Sequence, residues 1–291
     1  MVDIAGAPSA AEAYFPEVPA NPSGEPWVPE AWQDNWAPLA RLNAAQVMDE
    51  FRIGTPLDEV ARKLPVLEAR AQARWAAETR PAPKRMAAPD ASGIEDIETR
   101  TVYSKFFRVD ECDLKVPMFD GRSAPEIERV VFLAVDAVTV LPYDPKRDRV
   151  LLIEQFRIGP HARGDAAPWL LEAIAGRVDG GESWENAAHR EALEEAGLDQ
   201  VRLRKVAEFY PSTGANSEFI IAYIGLADLP DGIEGIYGQD AENEDIRTHL
   251  LHYADFANLM DAGHFRNAPL LVSALWLALN RDSLRAAANG A

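Results

Sequence analysis

Apolar residues recur on a helical period early in the chain and gather into strand-like runs after about residue 93. The segment AAQVMDEF (44–51) reads as a short helix capped by Asn43 and ended by Gly54. Thr55-Pro56 begins a second helix, with Leu57, Val60, Ala61, Leu64, Leu67 and Ala71 at helical spacing, and Pro65 inside it predicts a kink or a split. Residues 79–92 (TRPAPKRMAAPDAS) read as a linker. Strands are then predicted over Thr99–Val109, Val130–Leu141 and Arg149–Gln155, the last after a turn at Tyr143–Asp148. Leu170–Val178 is another strand, followed by a glycine loop and a helix from Ser183 to Ala196 that Gly197 stops. Val201–Tyr210 and Glu218–Ile224 read as strands, and Ala254–Asp261 and Pro269–Asn280 as helices. The order predicts an α+β fold, an αβα sandwich around a mixed sheet, with no internal repeat.

Composition divides the chain. Twelve of its 21 prolines and four of its seven tryptophans fall in residues 1–95, which we read as an N-terminal extension, irregular at first and then partly helical. Residues 96–291 form the main domain, opening with a β subregion over about 96–130. The chain is 47% apolar and 26% charged, and no apolar run reaches the roughly 18 to 20 residues needed to span a bilayer, so no membrane role is expected. No basic stretch precedes an apolar one at the N-terminus, and Cys112 is the only cysteine. A cytoplasmic protein without disulfides is therefore expected. A net charge of −18 argues against gripping nucleic-acid backbone. It is compatible with a small phosphorylated substrate where clustered carboxylates hold a hard cation that meets the phosphates.

Such a cluster is present. In the stretch Gly176 to Leu198, Glu191, Glu194 and Glu195 crowd one side of the predicted helix, where like charges repel unless a positive group sits among them. Arg190 offsets part of that repulsion and a divalent cation offsets more. Oxygen donors without cysteine or histidine in register favour Mg²⁺ or Mn²⁺ over Zn²⁺. Gly176, Gly180 and Gly181 permit a tight loop before the helix, and Ser183 is placed to cap it. A solvated acidic face would explain the carboxylates, but not the spacing of the glycines, Arg190 and Gly197.

The stretch resembles the Nudix box, G-x5-E-x7-R-E-U-x-E-E-x-G-U with U a bulky aliphatic residue. It departs only at Ala192, expected to loosen the packing of the helix. The resemblance implies a Nudix αβα sandwich in which Glu191 and Glu195, with the carbonyl of Ala175, bind Mg²⁺ (or Mn²⁺) on a pyrophosphate, and Glu194 supports them. Beyond the box, TVYSKFFRVD, PYDPKRDRVLLIEQFRIG, PWLLEAIAGRVDGGES, AENEDIR and NAPLLVSALWLAL are similar to bacterial ADP-ribose pyrophosphatases. That similarity implies substrate contacts at Phe106, Arg129 and Arg157, a catalytic base at Glu242 with Glu218 as competitor, and a further metal ligand at Glu244. It also implies hydrolysis of ADP-ribose to AMP and ribose 5-phosphate, in a homodimer joined through Thr99–Gly121. Two other readings are a Nudix hydrolase of a nucleotide sugar or dinucleotide, and a nucleotide-sensing module that no longer hydrolyses. Ser212-Thr213-Gly214 stands where the ADP-ribose enzymes commonly carry Ser-Pro-Gly. This variant, with Asn267-Ala268-Pro269, looks closest to Nudix proteins labelled as tellurite-resistance associated.

Overall fold

Apolar runs too long for one strand shape the centre of the molecule. In this computed structural model, which describes residues 33, 36–84, 86–105, 107–239 and 244–290, the predicted strand Val130–Leu141 is cut in two. Its first part is β3 (Glu126–Leu133), the last strand of a three-stranded sheet with β1 (Glu95–Ser104) and β2 (Arg108–Lys115). Its second part opens β4 (Ala137–Asp144), in a separate eight-stranded sheet. Leu170–Val178 is divided in the same way, into β6 (Trp169–Glu172) and β7 (Ile174–Arg177). β4 and β5 (Arg149–Phe156) pair only beside their turn, at Tyr143–Val150 and Asp144–Arg149. Beyond that they diverge, and the two halves of the run fill the fork, β6 bonding to β5 and β7 to β4.

The remaining strands are β8 (Arg202–Phe209), β9 (Ile220–Leu226), β10 (Ile236–Tyr237) and β11 (Ile246–His252), giving the order β10-β11-β5-β4-β9-β8. β4 and β9 run parallel and every other pair is antiparallel, so the sheet is mixed. α3 (Ile158–Arg163) follows β5, and α4 (Trp184–Ala196) covers one face of the sheet. There Ala187, Ala188, Ala192 and Ala196 are fully or almost fully buried against Val138, Ile153 and Ile221. Ala192 does not loosen this packing: it belongs to a stripe of small side chains that lets the helix approach the strands, while Leu193 faces outward. α5 (Tyr253–Asp261) and α6 (Ala268–Ala288) cover the opposite face with Phe256, Leu270 and Leu277 against Leu141, Leu152 and Ile224. The αβα sandwich is therefore present.

By contact the chain divides into Met1–Ala40 and Arg41–Ala291. Among the described residues the first helix, α1 (Ala37–Arg52), begins before Asn43, which lies within it rather than capping it. α2 (Leu57–Thr79) continues through Pro65. Pro65 and Ala61, whose carbonyl the proline leaves without a helical partner, both lie on the exposed face where water can serve. The buried face of α2 includes Lys63 as well as Val60 and Leu67. Lys63 is tolerated there because it reaches Glu50 Oε2 and the Ser104 carbonyl, both at 2.8 Å.

The turn that starts the fork is held by Asp148, which adopts a left-handed φ of 58°. Its carboxylate accepts from Tyr143, and from Arg281 and Arg285 on α6. Burial alone would raise its pKa, but these donors outweigh burial and hold it at about 2, below the usual 3.8. Stability from this group is thus fully present above about pH 4 and is lost as pH falls toward 2. Asp148→Asn, whose side chain tolerates the left-handed backbone, is expected to cost about 2 kcal/mol at neutral pH. The gap between the two proteins in thermal or denaturant unfolding should close by about pH 2.

Candidate active site

Local signals set the glutamate helix. Ser183 accepts from the Asn186 N–H at 3.2 Å, and Gly197, at φ 64°, ends the helix while its N–H and that of Leu198 bond back to Leu193 and Ala192. The frame turns Glu191 and Glu195 inward, toward β7 and the mouth of the fork. Glu195 is 2% exposed and accepts the Ala175 N–H at 2.9 Å. Glu191 lies over Gly176 so closely that a Cβ there would fall 1.8 Å from its Oε1. Only glycine leaves room for the carboxylate.

Arg190 gathers the rest of the box. It forks onto Glu182 at 3.0 and 2.9 Å, reaches Glu191 Oε1 at 2.6 Å and Glu194 Oε2 at 3.2 Å, and donates to the Arg177 carbonyl at 3.0 Å. Burial pushes the Glu191 carboxyl up to about 7 against the pull of Arg190, with Glu194 and Glu244 adding repulsion. Burial likewise pushes Glu195 up to about 8, opposed by the Ala175 N–H and Arg157 and reinforced by Glu191 and Glu244. The chain's own cations therefore leave this pair short of positive charge.

Across the site, Arg157 at the end of β5 bonds Glu172 Oε2 through two nitrogens, at 2.9 and 2.6 Å, and lies in the field of Glu195 and Glu244. Glu172 was not singled out from the sequence; its signal was a carboxylate inside an otherwise apolar run, where only an ion partner makes burial tolerable. Glu218 is half-buried, its pKa raised by burial and lowered by Arg157. Glu244 is half-buried and accepts from the Gln239 N–H at 3.3 Å. One cluster thus joins Ala175, Glu191, Glu194, Glu195, Glu218, Glu244 and Arg157. Arg129 is not brought to it within this chain: it is exposed on β3 and its guanidinium donates to the Glu128 carbonyl. Phe106 and Glu242 lie outside the described residues. Phe107, next to Phe106 in sequence, packs on Phe132 with ring centroids 4.7 Å apart.

The donor set suits a hard cation. Among the described residues no three acidic, histidine or cysteine groups enclose a metal position by themselves. Mg²⁺ does not need such a cage, since it is commonly held by one or two carboxylates with water and substrate phosphate completing its shell. Buried carboxylates lacking positive charge, and a glycine that makes room for one of them, fit that mode.

Residues 133–271 match the NUDIX domain family. The chain is 38% identical over 192 residues to the ADP-ribose pyrophosphatase of Escherichia coli, covering 66% of this chain and 91% of that one. The Haemophilus influenzae ADP-ribose pyrophosphatase is 35% identical over 194 residues, covering 66% and 89%. The chain belongs to the Nudix family. An Escherichia coli GDP-mannose pyrophosphatase is 31% identical over 140 residues, covering 48% and 72%. A solved structure titled "Crystal structure of ADP compounds hydrolase" aligns with a TM-score of 0.52 at 22% identity, covering 66% and 96%, and shows the same fold. No helix among the described residues is long and apolar enough to cross a membrane.

Gly176→Ala tests the cradle. The end of the Glu191 side chain can swing away from the new methyl group, so the fold should persist, with Glu191 displaced from Arg190 and β7. Turnover at saturating metal is expected to fall about tenfold or more. Unaltered kcat in the folded variant would show that the position of Glu191 does not matter.

Proposed function

We propose that this Nudix protein hydrolyses the pyrophosphate of ADP-ribose, adding water to give AMP and ribose 5-phosphate. The observation that carries the reading is the pair of buried, under-compensated carboxylates, Glu191 and Glu195, facing Arg157 and Glu244 at the end of β7. The two relatives named ADP-ribose pyrophosphatase support the choice of substrate.

Mg²⁺, replaceable by Mn²⁺, is the cation this donor set would take, with Glu191, Glu195, Glu244 and the Ala175 carbonyl as its protein ligands. When bound, it supplies Lewis-acid charge that screens the diphosphate oxygens and acidifies water. The chain's own groups do the rest. Arg157, held by Glu172, offers its guanidinium to the negative end of the substrate, where a planar donor suits phosphate oxygens. Arg190 keeps the helix carboxylates in register, with Glu194 as its outer partner. A carboxylate must accept the proton of the attacking water, and we assign that role to Glu242, with Glu218 as the alternative. Burial raises the Glu218 pKa, the direction that strengthens a carboxylate as a proton acceptor.

We further infer a homodimer through residues 99–121, supported by exposed Val102, Tyr103 and Phe119 in and beside the three-stranded sheet. Phe106 and Arg129 would serve as substrate contacts at that junction. Light scattering at micromolar concentration should give twice the chain mass, and a monomer would refute the dimer.

Glu195→Gln retains an acceptor for the Ala175 N–H and should fold normally while losing at least about 100-fold in kcat. The assay is product release from ADP-ribose with Mg²⁺, run beside GDP-mannose and a dinucleotide. Preference for GDP-mannose would move the protein to the nucleotide-sugar reading. Binding without product from any of them would favour a sensing module.

A further inference from the structure

α2 lies outside residues 133–271, the part that matches the family, yet it grips two loops that carry candidate site residues. The Gln72 carboxamide bonds twice to the glycine loop: its nitrogen donates to the Glu182 carbonyl, and its oxygen accepts from the Gly181 N–H. A Cβ at Gly180 would lie 2.7 Å from the Glu68 Cβ, so glycine allows helix and loop this close approach. An amide that answers one N–H and one C=O fixes both the position and the direction of the loop. Glu182 then receives the Arg190 fork, and Arg190 reaches Glu191 Oε1 at 2.6 Å. An unbroken line of hydrogen bonds and backbone joins Gln72 to Glu191.

The far end of α2 holds the second loop. Arg80, the C-terminal capping residue, places its guanidinium carbon 3.6 Å from the centre of the Phe219 ring and donates to the Tyr210 hydroxyl at 3.2 Å. Tyr210 and Phe219 pack edge to face, 4.9 Å apart, at the two ends of the loop that contains Glu218. The Phe219 carbonyl accepts the Ala137 N–H at 2.9 Å, so Arg80 closes the loop against β4.

We propose that α2 is a brace for the catalytic face, with Gln72 and Arg80 as positioning residues. Gln72 sets the Glu182–Arg190 fork and through it the orientation of Glu191, and Arg80 sets the loop of Glu218. The inference rests on the reading of Glu191 as a metal ligand.

The test uses the full chain. Gln72→Leu should weaken binding of Mn²⁺ alone, read by electron paramagnetic resonance, and lower kcat on ADP-ribose with Mg²⁺, each by about tenfold, as loss of a supporting partner commonly does. Gln72→Glu keeps the acceptor for Gly181 but not the donor for Glu182, and should fall between Gln72→Leu and the parent. Arg80→Met should lower kcat with KM little changed. Arg80→Lys, which keeps a cation for Phe219, should recover part of that loss. Arg74→Ala, which removes only an exposed pair with Glu78, should change neither quantity.

Parental Mn²⁺ affinity and kcat in folded Gln72→Leu and Arg80→Met would overturn the proposal. So would a lowered Tm with parental Mn²⁺ affinity, which would make α2 a packing element only. If Gln72→Leu does not fold, Gln72→Glu decides alone, and parental affinity there overturns the role of Gln72. Mn²⁺ binding is read without substrate, so a parent inactive on ADP-ribose would refute the substrate reading while the brace is still decided by metal affinity.

Discussion

The divergence of β4 from β5 is the constraint on which the site depends. Two strands that pair only beside their turn leave backbone donors and acceptors exposed along the inner edges of the fork, and such groups must find partners when buried. β6 and β7 satisfy them from opposite sides. The same placement sets Ala175 and Gly176 at the edge of the sheet, facing α4. Glu195 can then accept the Ala175 N–H, and Glu191 can lie over a residue that has no side chain. The pairing that completes the sheet also shapes the floor of the site.

Charge, rather than apolar packing, organises what stands on that floor. Arg190 answers Glu182, Glu191 and Glu194 but leaves Glu195 to a single backbone donor and to the field of Arg157. Burying two carboxylates this way costs stability unless they are protonated or share a cation. A fold optimised for stability alone would place apolar side chains here. Retaining the pair beside Arg157 makes sense for a protein that must meet a cation and a negatively charged diphosphate together.

Local signals in the sequence located α4 closely. Ser183 and Gly197 bound it through hydrogen bonds that involve only neighbouring residues, and the box spacing put Glu191 and Glu195 on one side. The splits of Val130–Leu141 and Leu170–Val178 were not legible, because both halves of each run are apolar and the break depends on which distant strand each half meets. Burial of Lys63 was hidden for a related reason: its partners Glu50 and Ser104 lie 13 and 41 residues away. Arg157 was recognisable as an arginine after a buried-looking strand, whereas Glu172, its partner, shows as such only once β6 is seen beside β5.

The family match begins at residue 133, the last residue of β3, and so leaves out α2. Contacts nonetheless tie α2 to the box at Gly181 and to the next loop at Tyr210 and Phe219. A box helix held only by its own sheet would keep its carboxylates in register with one another, but the loop leading into it, rich in glycine, would be free to adopt several shapes. Each shape would carry Glu182 to a different place and draw the Arg190 fork with it. A second helix that bonds directly to the loop backbone removes that freedom at its source, which is why a residue outside the motif can govern the geometry of a carboxylate within it.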